Sequence, residues 1–425
     1  MLRLVLASLS CAALASAAAP AAAAVPAASP DADRAEARAS ELFEALREER
    51  SVRAVKTFAP ELRSELPPPR LSAAWKQLTA SAGRLQGWKL DAAASRDARR
   101  VYDLALERGR ARATLELSAE GDVSAFSVAP PLRTVPAPAG ARAAEIATGA
   151  LPVQVPGTLV LPAVAGRVPA ALLLGDVGAD RDGARDGHAP LLRDLAEALA
   201  ARGVASLRLE RRSAAWPAAG DLGLEGDLVA DAAAALRQLR ARPEVDAARI
   251  LVVGHGLGGV VAPEVADRGG GAAALVLAGA PARALPLALL EEARASGRLA
   301  PGPMAQYQRL AERAIANRLE EGERFEGHGD AFWRELATKD PLGQLRRLGR
   351  PALLVRGERD LVAAAEDVPI WASGLAGVEG GRVETLPGLD HHLAAGGAAR
   401  ASPAALKRIA DFVLAAPAAT ASAAP

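Results

Sequence analysis

Cysteine is all but absent: one residue, Cys11, in a chain of 425. It lies in an apolar N-terminal stretch, so the chain beyond it has no disulfide, no thiolate nucleophile and no cysteine-ligated metal. Aromatics are scarce too, with five Trp, two Tyr and six Phe, which speaks against surfaces that stack bases or sugars. No sign of charge dominates, since 51 Lys and Arg face 50 Asp and Glu. That balance leaves no electrostatic case for nucleic acid or an anionic membrane as partner. After the first residues no run approaches the roughly 18 apolar residues that a membrane span needs, so none is expected. The apolar content, in contrast, is 50%. It supplies ample core, and the length suggests two or three domains.

Met1-Leu2-Arg3 is a short positive start, Leu4 to Ala17 an apolar run, and Ala-rich cleavage options follow up to Ala24. Residues 1–24 are therefore expected to be an export signal, placing the protein in the periplasm or outside the cell. A lipoprotein reading of Ser8-Leu9-Ser10-Cys11 fails because Leu sits one position late. Residues 31–129 read as a small α+β domain. Helical spacing runs from Asp31 to Lys56 and from Trp75 to Leu85, and strand-like stretches cover Trp88–Ala94, Val101–Glu107, Arg110–Leu117 and Val123–Val128. Residues 130–142 (PPLRTVPAPAGAR from Pro130 on) form a Pro/Ala linker. From 143 to 416 strands and helices alternate, the pattern of a mostly parallel sheet covered on both faces. Between strands at 274 and 351 lie helical stretches too long for a simple crossover, so residues 281–350 are expected to cap the sheet's carboxyl edge. Residues 417–425 read as a disordered tail.

The stretch Val253-Gly254-His255-Gly256-Leu257-Gly258-Gly259-Val260 follows a buried-type strand and precedes a helix. This is the setting of a nucleophile elbow, G-x-S-x-G, with Gly256 where serine would stand. Three further matches accompany it: Asp180-Arg181-Asp182, Leu207-Arg208-Leu209-Glu210-Arg211-Arg212, and Gly258-Gly259-Val260-Val261-Ala262-Pro263. Together they make residues 145–415 resemble an exported bacterial α/β-hydrolase of the serine esterase and peptidase group, akin to dienelactone hydrolases and acylaminoacyl peptidases. Helices followed by an antiparallel sheet make residues 31–129 resemble the NTF2-like cone, and the small domain found ahead of such hydrolases. Protein partners of that domain are unknown.

The resemblance implies a site. Asp360, in Arg356-Gly357-Glu358-Arg359-Asp360, stands as the orienting acid, and His391, in Leu386-Pro387-Gly388-Leu389-Asp390-His391, as the base. The oxyanion hole would use the N–H of Leu257 and one from the loop after the strand at 169. There Gly175-Asp176-Val177-Gly178 replaces the group's Gly-Ser-Gly-Pro, and the Asp176 carboxylate opposes a developing oxyanion unless it turns away. Neither Ser206, within a strand, nor Ser213, on another loop, offers a replacement nucleophile.

Other readings compete. Gly254, Gly256 and Gly259 also fit the dinucleotide fingerprint G-x-G-x-x-G, but several strands precede this one, and Ala274–Ala282 holds no acid for a ribose. The glycines also serve simple strand–helix packing. Asp360 also fits a turn residue and His391 a loop histidine, though the catalytic reading of each weighs more. Asp390-His391-His392 is a poor metal site because adjacent side chains diverge. His255 reads as structural, while His188 and His328 have no context. No cofactor and no metal are expected, and the expected ligand is a small ester, amide or peptide-like molecule. Three functions stay open: a pseudo-hydrolase that lost its nucleophile, a hydrolase using water activated by His391, and a non-catalytic ligand- or partner-binding protein.

Overall fold

The computed structural model describes residues 30–185, 187–217 and 221–418. The expected export signal at 1–24, and all of the tail beyond residue 418, lie outside the described residues.

The first unit packs four helices, α1 (Pro30–Arg47), α2 (Ser51–Val55), α3 (Pro60–Glu65) and α4 (Pro68–Ala82), with four strands. The strands β1 (Leu85–Leu90), β2 (Arg99–Leu106), β3 (Gly109–Leu117) and β4 (Val123–Ala129) make an antiparallel sheet in sequence order. Period-two alternation sets its faces. Tyr102, Leu104 and Leu106 of β2 and Ala111, Ala113 and Leu115 of β3 point into the core. Arg112 on the other face pairs with Asp91 at 2.7 Å. Leu42, Phe43 and Leu46 of α1 and Leu71, Trp75 and Leu78 of α4 cover the inner face. The helix expected through 31–56 breaks in two, with Glu49 in the left-handed region at φ +56°. Helix α4 begins earlier than expected because prolines suit a first helical turn, and it ends at Gly83, φ +83°.

The second sheet has eight strands: β5 (Ala141–Thr148), β6 (Val155–Pro162), β7 (Val168–Leu174), β8 (Ala205–Leu209), β9 (Val245–His255), β10 (Leu275–Ala278), β11 (Ala352–Gly357) and β12 (Arg382–Leu386). Their spatial order is β5-β6-β8-β7-β9-β10-β11-β12. Strand β6 runs antiparallel to β5 and β8, and the remaining pairs are parallel. The helices are α5 (Leu191–Ala200), α6 (Arg212–Ala215), α7 (Ala230–Arg240, entered through a π-helical turn at Glu225–Val229), α8 (Leu257–Arg268), α9 (Leu285–Ser296), α10 (Pro301–Ile315), α11 (Asp330–Ala337), α12 (Pro341–Leu348), α13 (Asp367–Leu375) and α14 (Pro403–Ala415). This is the α/β-hydrolase fold. Strand β7 shows why its strands are continuously apolar: Ala170, Leu172 and Leu174 enter one core, and Ala171 and Leu173 enter the other. Helices α7 and α8 cover the first face, and α5 and α14 the second.

Three expectations are corrected. Strand β5 takes in Ala141 and Arg142, so the extended connection ends at residue 140; its Ala-rich sequence lacks the alternation that would reveal an edge strand. Helix α12 does not cap the sheet but packs on α8 and α13, with Leu342 lying against Gly374. Within 281–350, helix α9 brings Leu289 and Glu292 to the cavity at the sheet's carboxyl edge. Ser213 lies in the short helix α6 rather than on a loop. The first unit is also joined more closely to the second than a linker suggests. Gln154 N–H donates to Val128 C=O at 2.7 Å, and one apolar core runs through both. Among the described residues, no helix is long and apolar enough to cross a membrane.

Candidate active site

Strands β7 and β9 are neighbours, with Leu174 opposite Gly254. Asp176 and Gly256 each follow by two residues, so they arrive level with each other at the carboxyl edge. Gly256 turns the chain from β9 into α8 with φ +51° and ψ −117°, a conformation costly for any residue with a Cβ. The turn is tight enough that a Cβ on Gly254 would stand 2.1 Å from the Gly258 carbonyl oxygen. The elbow geometry is therefore complete at a position that carries no side chain.

Asp176 fills the space. A Cβ on Gly256 would stand 2.1 Å from Asp176 Oδ1 and 2.2 Å from Cγ. The carboxylate does not turn away from the expected oxyanion site: Leu257 N–H donates to Oδ1 at 2.7 Å. That N–H opens helix α8, where the helix dipole favours an anion. Oδ2 lies 3.1 Å from His391 Nε2.

On the far side of the imidazole, His391 Nδ1 lies 3.0 Å from both oxygens of Asp360. Asp360 Oδ1 also accepts from the N–H groups of Val362 and Ala363, both at 2.9 Å. Its loop is shaped by the buried Arg356, whose guanidinium donates to the Asp360 carbonyl at 3.0 Å and to the Ala363 carbonyl at 2.6 Å. Gly279, after β10, leaves room for the pair, since a Cβ there would press on His391 at 3.0 Å and on Asp360 at 3.1 Å. Neither Arg356 nor Gly279 was foreseen as part of the site; the arginine stood within the acid-loop motif without a reason to single it out.

A carboxylate only accepts, so an imidazole placed between two of them carries a proton on each nitrogen. Burial alone would lower the His391 pKa, but Asp360 first, and then Asp176, raise it well above the ordinary imidazole value. Burial would raise the Asp176 carboxyl, yet the hydrogen bond and charge of His391 hold it well below the usual range. The trio is an ion-paired unit, and His391 in this state has no free nitrogen to accept a proton.

Three other histidines converge here. His255 is fully buried and its Nε2 lies 2.9 Å from the His391 carbonyl oxygen. Burial, reinforced by the His391 charge, lowers its pKa to about 4. His188, which had no context in the sequence, stacks on His392 with ring centroids 4.5 Å apart. His328 lies elsewhere, stacked on Phe332 at 3.9 Å. Asp180, Arg181 and Asp182 shape a loop: Arg181 pairs with Glu145 at 2.5 Å, and Arg208 with Asp182 at 2.9 Å. A cavity of about 430 Å³ opens between this cluster and helix α9, lined by Asp176, His188, Leu289, Arg359, His391 and His392 among others. Thus Asp176, Gly256, Leu257, Asp360 and His391, drawn from four loops, meet in one place.

No family model matches this chain. It is 26% identical over 243 residues to the esterase EstD of Thermotoga maritima, a match spanning 57% of this chain and 58% of that enzyme. Among solved structures it is similar to Est1E of Butyrivibrio proteoclasticus, at 16% identity and a TM-score of 0.41 over 63% of this chain and 95% of that one. An esterase of Pyrococcus furiosus is similar at 16% identity and a TM-score of 0.47, over 68% and 98%.

Proposed function

We propose that this protein is an exported, esterase-like α/β-hydrolase that has lost serine-type acyl transfer and retains a cavity for a small ester, amide or peptide-like ligand. The observation that carries this reading is the Asp176 carboxylate. It stands where a nucleophile side chain would begin, and it holds the Leu257 N–H that a substrate oxyanion would need. An anion in that hole opposes the charge that develops in acyl transfer. The similarity to EstD supports an ester-hydrolysing ancestry. A water-based hydrolysis with His391 as base is disfavoured by the ion pair at Nε2. Export rests on the composition of residues 1–24.

The test is hydrolysis of p-nitrophenyl esters by the native chain, by Gly256→Ser, and by Gly256→Ser combined with Asp176→Gly. The native chain and the single variant are expected to remain at background, and the double variant to turn over. Native activity abolished by His391→Ala would overturn the proposal.

A further inference from the structure

His255, His391 and Asp176 each offer one ligand atom, and those atoms lie within 4.8 Å of one another. Asp176 Oδ2 and His391 Nε2 are already 3.1 Å apart. Four-coordinate sites with bonds of 2.0–2.2 Å hold their ligand atoms about 3.3–3.5 Å apart, so this pair stands near the required separation, and His255 must close the rest. The tautomer of His255 follows from its neighbour. A carbonyl can only accept, so Nε2 donates to the His391 oxygen and Nδ1 is left as a bare lone pair. That atom is buried and has no hydrogen-bond partner among the described residues. A buried lone pair without a donor is costly, and a Lewis acid satisfies it.

Charge points the same way. Asp176 and Asp360 bring two negative charges to a buried site, which a dication balances and one proton does not. Asp360 on Nδ1 of His391 is the carboxylate that commonly orients a metal-bound imidazole and raises its basicity. We propose that Asp176, His255 and His391 bind one divalent transition metal ion of the zinc type, the ion taking the place of the Nε2 proton of His391, which is released to solvent. Two imidazoles and one carboxylate suit such a metal better than magnesium or calcium. Three protein ligands leave a fourth position, and because Asp176 and His391 both line the cavity, that position faces it. It would take water or the carbonyl or carboxylate oxygen of a ligand.

The experiment is calorimetric titration of Zn²⁺ into metal-stripped, tag-free protein, alongside Asp176→Asn, His255→Gln and His391→Gln, each first shown to be folded by circular dichroism. The expected result is one equivalent of zinc, with affinity at least about tenfold weaker in every variant. Substitution with Co²⁺ should give visible absorption bands of a low-coordinate N/O site, absent from the variants. Failure of the native protein to bind one equivalent would overturn the proposal, and so would full-affinity binding in Asp176→Asn. These readouts do not involve ester hydrolysis, so they succeed or fail independently of the loss of acyl transfer.

Discussion

The two halves of the site differ in what they carry. On the loops after β11 and β12, Asp360 and His391 form a hydrogen-bonded carboxylate–imidazole pair, held by backbone N–H groups and by Arg356. On the loops after β7 and β9, the sharp turn at Gly256 carries no side chain, and the neighbouring loop brings a carboxylate to that place. The difference teaches that a site can stay geometrically closed while its chemistry changes. Asp176 gives His391 and the Leu257 N–H a partner each, so neither is left buried and unpaired.

The sharpest way to break this comparison is to rebuild the altered half. Gly256→Ser with Asp176→Gly should raise ester hydrolysis about 10³-fold over the native chain, a fraction of the roughly 10⁶-fold that a complete, evolved triad contributes, as read by initial rates. Gly256→Ser alone should gain nothing, because its Cβ would overlap the Asp176 carboxylate; a gain would show that Asp176 does not block the site. Within the rebuilt variant, Asp360→Asn should then remove most of that gain, about 10²–10³-fold in kcat, since Asp360 would orient the His391 imidazole beside the new serine.

Stability tests the same contrast. Gly256→Ala should cost at least about 3 kcal/mol in denaturant unfolding, from the overlap and the left-handed backbone together. Asp176→Ala should cost about 3 kcal/mol, because it leaves His391 short of one of its two carboxylates.

The smallest effects concern pH. Asp176→Asn removes a negative charge from Nε2 of His391, so the imidazole pKa should fall, measured by NMR titration. The sign for stability follows. The His391 pKa is raised in the folded state, so its contribution is complete below the unfolded value of about 6.5 and is lost as pH rises through the folded one. Melting temperatures of metal-stripped protein should therefore decline with rising pH, more steeply for the native chain than for Asp176→Asn. His328, outside the site, behaves in the opposite sense. Burial and the Arg211 charge lower its pKa to about 3, so its contribution is lost as pH falls below about 6.5. His328→Gln should remove part of that acid lability, a shift of a few degrees.

Much of the fold was legible because the central strands of the second sheet sit where both faces are buried, which writes them as unbroken apolar runs; β7 and the end of β9 are examples. Strand β5 was not, since an Ala-rich edge strand carries little pattern. The break at Glu49 and the packing of α12 on α8 and α13 also escaped, because neither is written in a local pattern. At the site, the sharp turn at Gly256 was legible in its glycines, and the pairing of Asp360 with His391 was expected from the hydrolase resemblance. The convergence of His188, His255 and His392 could not, since those residues are up to 204 positions apart in sequence. Sequence by itself determined which backbone turns and side chains were available: a glycine elbow, an acid loop, a base loop and an aspartate after β7. Only the tertiary structure decided that the aspartate occupies the vacant place. That outcome depends on the β7–β9 register, which sets Asp176 level with Gly256, and a register is fixed by long-range pairing rather than by any local run of residues.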